Sequence, residues 1–150
     1  PVWGSSSQVM AVLTEIAVTI ADLKVVRPDI LNFQYDTESD SFAEEINRAK
    51  SILYRQVKDN ERLNQPSLTE AELTALLLLV KDISDVEYLK ERLVLLTIAE
   101  IFKANDMFET SSIYERDSNN VELIYYVDAN DDGIIEISEE RKIQRVSFGR

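Results

Sequence analysis

The residues best placed to do chemistry lie together at 128–139, in the stretch DANDDGIIEISE. Asp128, Asn130 and Asp132 alternate along it, Gly133 follows at once, and Glu139 closes it. This spacing fits the calcium-loop template D-x-[DN]-x-[DN]-G-x5-E at every position. Calcium is a hard cation that takes roughly six to eight oxygen ligands. Alternate residues of a tight turn aim their side chains at one centre, so Asp128, Asn130 and Asp132 would each supply a side-chain oxygen. Gly133 permits the sharp bend that a Cβ resists. Ile134 would give its carbonyl, Glu136 would act directly or through water, and Glu139 would close the site with its carboxylate. Ile135 stands where such loops favour an aliphatic residue. Five carboxylates (Asp128, Asp131, Asp132, Glu136 and Glu139) crowd this one turn. They repel one another unless a cation neutralises them. The competing reading is an acidic, glycine-containing turn that stays solvated.

Composition narrows the other chemistries. The chain has 150 residues, of which 45% are hydrophobic, a size and content suited to one folded domain. It has no Cys and no His. Disulfides, thiolate metal sites, Cys nucleophiles and His-dependent acid–base or zinc chemistry are therefore absent or unfavoured. With glycine only at Gly4, Gly133 and Gly149, no phosphate-cradling loop is available. The pairs Glu44/Glu45 and Glu139/Glu140 read as a helix start and a metal or tail site, not as an acid–base dyad. No catalytic constellation emerges, and the chain is read as not an enzyme. The net charge of −12 argues against a role tracking phosphates, so no nucleic-acid sequence reading is expected. The longest apolar run, ALLLLV at 75–80, is too short to span a bilayer.

Charge is unevenly distributed. Residues 141–150, RKIQRVSFGR, hold four of the 16 basic residues and none of the 28 acidic ones. A +4 tail on a −16 body suggests an arm that reaches an acidic partner, the alternative being a solvated terminus. Arg141, Lys142, Arg145, Val146, Phe148 and Arg150 are its candidate contact residues.

The elements that must position these residues read as mainly helical. Residues 1–10 form a flexible leader in this reading, 11–110 a small bundle of three to four helices, and 111–150 a linker, the loop and a docking arm. Between residues 12 and 26 a helix and a strand compete. Thr19 followed by Asp22 favours a capped short helix at about 20–26 that stops near Pro28. Phe42, Ile46, Ala49, Leu53 and Val57 mark one face of a 3.6-residue repeat and predict a helix, with Glu44 and Glu45 in its first turn. Two capping boxes, Ser67 with Glu70 and Thr69 with Glu72, predict a second helix whose face is Leu73, Leu76, Leu77 and Val80. A third helix begins after Ser84, with Glu87 completing a box, and ends near Ala104. Its interior RLVLLTIAEIF is apolar almost all round, which suits the centre of a bundle or a helix between subunits. The segment TSSIYERDSNN reads as polar linker, and VELIYYV at 121–127 as a strand. A strand before the loop is not the entering helix of an EF-hand. The loop is therefore expected to fix a strand–loop–strand or strand–loop–arm segment as a structural ion site, not to switch as a sensor.

This order of pieces resembles the head–tail adaptor (connector) proteins of tailed bacteriophages. The pieces are a helical body, the apolar helix LVLLTIAEIFKANDMF, a strand, a DxNxDG loop and the basic arm ending RVSFGR. The resemblance covers roughly residues 40–150. It implies a non-enzymatic, ring-forming subunit in the virion neck, assembled in the host cytoplasm. Its arm would dock onto the portal or an adjacent neck or tail protein, with Ca2+ stiffening that arm. The residues before Met10 have no counterpart in this resemblance. The alternative is a monomeric calcium-binding interaction module, dockerin-like in its loop but with one copy where a dockerin has two.

Overall fold

The computed structural model describes residues 5–34, 42–75, 77–80, 83–121, 123–127 and 140–143. The protein is mainly helical, a small bundle as the periodicity predicts, and one antiparallel sheet closes its side. The elements run β1 (Ser5–Gln8), α1 (Val9–Glu15), α2 (Ile20–Val26), a 3-10 turn (Ile30–Phe33), α3 (Ala43–Asn64), α4 (Glu70–Thr74), β2 (Leu77–Val80), α5 (Ile83–Ala104), α6 (Phe108–Asn119), β3 (Leu123–Val127) and β4 (Glu140–Ile143).

Several elements form where local chemistry demands them. Thr19 caps α2: its hydroxyl accepts from the Asp22 N–H, and the Asp22 carboxylate accepts from the Thr19 N–H at 2.8 Å. The stripe of α3 is buried at Ala49, Leu53 and Val57. Phe42 precedes it with a left-handed backbone (φ 51), a conformation that a buried ring holds in place here. Helix α5 stops at a Schellman turn. Asp106 adopts φ 59, its N–H bonds the Lys103 carbonyl, and the Met107 N–H reaches back to the Phe102 carbonyl at 2.9 Å.

Helix α5 is the central helix of this one chain. Leu93, Leu96, Ile98, Ile101 and Phe102 are buried, and α2, α3, α6, the 3-10 turn and β3 all pack on it. Its apolar faces are thus covered within this chain at the described residues 89–102. Phe102 lies 4.7 Å from Phe33 and stacks on Tyr114 at 5.6 Å between ring centroids, and the Arg27 guanidinium sits 5.0 Å over its ring. This cluster joins α2, the 3-10 turn, α5 and α6 at one end of the bundle.

Five readings of the sequence are corrected. The helix expected through Leu76, Leu77 and Val80 ends at Thr74, and Leu77–Val80 is a strand between β1 and β3. A run of apolar residues serves a buried central strand as well as a buried helix, and the ladder partners on both sides decide the matter. Only the Thr69 box forms, with Glu72; Glu70 instead pairs with Lys58 and Arg62 of α3. The Ser84–Glu87 box lies outside the described side chains. Residues 5–8 of the expected flexible leader form β1, which pairs antiparallel with β2 (Ser5 opposite Val80) and leads straight into α1. The polar linker is helix α6, whose buried face is Ser111, the half-buried Tyr114, and Ser118. Ser111 Oγ donates to the Ala99 carbonyl at 2.8 Å and Ser118 Oγ to the Arg92 carbonyl at 3.4 Å. Small hydroxyl residues thus bring α6 close along α5, antiparallel to it. Finally, residues 140–143 of the expected extended arm are a strand of the sheet, paired with β3.

Candidate functional site

The loop residues 128–139, with all the candidate ligands Asp128, Asn130, Asp132, Ile134, Glu136 and Glu139, lie outside the described residues. So do Arg145, Val146, Phe148 and Arg150, and so does the Lys142 side chain. What is described is the mount on which the loop sits. Strand β3 ends at Val127 and β4 begins at Glu140, and the two pair antiparallel with Tyr126 opposite Glu140 and Tyr125 opposite Arg141. The twelve loop residues are therefore the connection of a β-hairpin, and both stems of the loop are strands. The strand-like stem expected before Asp128 is found, and of the two expected exits, strand or arm, residues 140–143 form the strand.

This hairpin is bolted to the end of α3. Glu61 falls four residues after Val57 on the buried stripe and is fully buried. Arg141 Nε donates to both of its oxygens at 3.1 Å, and Gln65 Nε2 donates to Oε1 as well. The neighbouring residue, Asn60, donates through Nδ2 to the Tyr125 hydroxyl at 2.9 Å. Two consecutive residues of α3 thus hold the two residues that face each other across the hairpin. Burial is the largest influence on Tyr125 and raises its phenol well above the ordinary range; the nearby Glu61 charge adds to this, and the Asn60 bond and Arg141 oppose it. The phenol remains a neutral hydroxyl in the fold.

Arg141 was expected in the partner-binding arm. Its side chain is 13% exposed and engaged with Glu61, inside the fold. Asn60, Glu61 and Tyr125 were not singled out from the sequence. The signal was present: the stripe Phe42–Val57, continued by one more turn, places Glu61 on the buried face, and a carboxylate there requires a cation.

The rest of the described surface offers no second chemical centre. No three acidic side chains converge to hold a metal among the described residues. A groove of about 350 Å³ runs along α6, lined among the described residues by Ser112, Ile113, Glu115, Arg116 and Asn119. The Ser112 hydroxyl donates to the Phe108 carbonyl at 2.9 Å, a helix-internal bond and not an activated nucleophile. Exposed apolar side chains stand at several places. Val25 (85% exposed) stands on α2 and Leu63 (81%) at the end of α3 beside the hairpin, while Leu31, Met107 and Phe108 (58%) are exposed at the α5–α6 end. Asn105 ties that end together, donating to the Phe33 carbonyl at 2.7 Å. The mount lies toward the other end, where α6 finishes beside Arg92 and Arg92 Nη1 donates to the Val121 carbonyl at 3.3 Å.

No protein-family profile, curated protein or solved structure matches the chain.

Proposed function

We propose that this chain is a structural subunit of a tailed bacteriophage, a head–tail adaptor without enzymatic activity. It forms a ring in the virion neck between the portal and the tail after assembly in the host cytoplasm. The observation that carries this reading is the pairing of exposed apolar side chains on the helical body with a basic segment in an acidic chain. The helices expose Val25, Leu63, Met107 and Phe108. A hairpin anchored to α3 leads into the acidic loop and the basic residues that follow Arg141 in sequence, Lys142, Arg145 and Arg150. Exposed apolar groups favour contact with a neighbouring protein, and a charged segment favours a partner of opposite charge. A subunit that joins two different layers uses two such unlike surfaces.

Calcium suits this reading through the donor set of the loop. Asp128, Asn130, Asp132, the Ile134 carbonyl, Glu136 and Glu139 are all oxygen donors, the class that calcium takes. The ion would neutralise the loop's carboxylates. The chain's own part is to hold both stems of the loop through β3 and β4, and so to set the direction in which Arg145, Val146, Phe148 and Arg150 leave the body.

Mass determination of the intact protein, alone and mixed with portal rings, tests the assembly claim. A ring whose mass is a multiple of 17.2 kDa is expected. A species that stays monomeric in both conditions and binds a soluble ligand with calcium overturns the adaptor reading in favour of an interaction module. Calorimetric titration with Ca2+ tests the loop: the wild type binds, and Asp128→Ala binds more weakly or not at all. Absence of binding by the wild type ends the calcium claim.

A further inference from the structure

We propose that two copies of this chain pair through α6, antiparallel about a two-fold axis that passes between Ser112 and Ile113. The outer face of α6 carries Glu109, Ile113 and Arg116 at i, i+4 and i+7, opposite the side that Ser111 and Ser118 bury against α5. Ile113 is 47% exposed, and Glu109, Ser112 and Arg116 are exposed beside it. Glu109 and Arg116 stand two turns apart, too far to pair with each other. Among the described residues no ion pair engages either of them. The helix dipole suits an acid in the first turn and a base in the last. That alone leaves both charges, and the isoleucine between them, facing solvent.

The order acid, apolar, base along one face makes a second copy the fitting occupant. A two-fold contact sets a surface against itself, so a residue near one end meets a residue near the other. With the axis between Ser112 and Ile113, Glu109 of each copy meets Arg116 of the other, and Ile113 of each meets Ser112 of the other. Ser112 is small, and its hydroxyl is turned back onto the Phe108 carbonyl at 2.9 Å, which leaves room for the facing isoleucine. The groove of about 350 Å³ lies over this face, with Ser112, Ile113 and Arg116 among its walls. Glu115 and Asp117 adjoin Arg116 in sequence and project to either side of the line of contact. Each copy carries a net charge of −12, so general repulsion opposes pairing, and a face of locally opposed charges offsets it. At about 0.15 M salt the Debye length is about 8 Å, which screens the distant charges more than the facing pairs. The inference does not rest on the adaptor reading: a two-fold pair closes on two copies, whereas a ring needs a head-to-tail contact.

Sedimentation equilibrium of the full chain at this salt tests the pairing in the wild type, Glu109→Arg, Arg116→Glu and the double exchange Glu109→Arg/Arg116→Glu. The wild type should pass from 17.2 kDa to twice that mass as concentration rises. Each single exchange sets like charges against each other at both ends of the contact and should weaken pairing by at least about tenfold. The double exchange restores opposite charges and should recover pairing to within about threefold of the wild type. An equimolar mixture of the two single variants should form mixed pairs, because each supplies the charges that the other lacks. Ile113→Gln keeps both charges and a good helix former, and it should weaken pairing too, so the inference stays testable if charge exchange loosens the ends of α6. A wild type that stays at 17.2 kDa up to about 1 mM overturns the inference. Pairing of equal strength in the wild type and the single variants overturns it as well, as does failure of both the mixture and the double exchange to restore pairing. None of these outcomes bears on ring formation with the portal, which is read separately.

Discussion

Arg141 and Glu61 are 80 residues apart in sequence and meet as an ion pair with the guanidinium Nε 3.1 Å from each carboxylate oxygen. Glu61 is fully buried, and the Arg141 side chain is 13% exposed. Removing one member of such a pair leaves the other's charge in a poorly solvated place, which costs more than the pair itself contributes. Arg141→Ala should therefore destabilise the fold by about 3–5 kcal/mol, measured by urea unfolding. The double variant Glu61→Met/Arg141→Met should lose less than Arg141→Ala alone. An equal or greater loss would mean that the pair is not held together as described.

The buried Tyr125 hydroxyl gives the fold an alkaline limit. Its phenol is raised in the folded state, above an unfolded value of about 10. Above that pH the unfolded chain releases the proton and the folded chain keeps it, so the unfolded state binds fewer protons and stability falls as pH rises. The melting temperature should fall between about pH 9 and 11 in the wild type. Tyr125→Phe should fall less steeply over the same range. Parallel curves would show that Tyr125 titrates alike in both states.

At the start of α2 the sign reverses. Burial works against ionisation of Asp22, but bonds from the Thr19 backbone and hydroxyl and from Lys90 outweigh it and hold the carboxyl below its ordinary value. That contribution is complete above the unfolded value of about 3.9 and is lost as pH falls through the lower folded one. Asp22→Asn should lessen the acid loss of stability in a pH titration of the melting temperature. Thr19→Ala, which removes the cap, should cost about 1 kcal/mol at neutral pH.

Phe108 separates assembly from folding. Its side chain begins α6 and is 58% exposed, so Phe108→Glu should leave the melting temperature nearly unchanged. If the apolar end contacts a neighbouring protein, the same variant should shift native mass spectra from assembly toward monomer. Phe102→Ala, six residues away but fully buried, should do the opposite: it should lower stability by about 3–5 kcal/mol. An unaltered assembly in Phe108→Glu would remove that end from the interface.

The sequence by itself determined what depends on near neighbours. The cap at Thr19, the stripe Phe42–Val57, the apolar body of α5 and the strand before Asp128 each arise from residues within a turn or two, where side-chain period and backbone capping act directly. The loop motif is legible for the same reason, since its donor spacing is a matter of consecutive residues. What the tertiary structure decided depends on partners far along the chain. Leu77–Val80 is a strand because Ser5–Gln8 and Leu123–Val127 flank it, and no period within ALLLLV distinguishes that from a helix. The polar α6 is a helix because Ser111 and Ser118 let it lie close against α5, and small hydroxyl residues leave no apolar stripe to read. The anchoring of the β3–β4 hairpin was hidden for a further reason. Asn60 and Glu61 look like ordinary helix-surface residues until the chain brings Tyr125 and Arg141 against them, and a buried charge acquires its meaning only from the opposite charge that folding delivers.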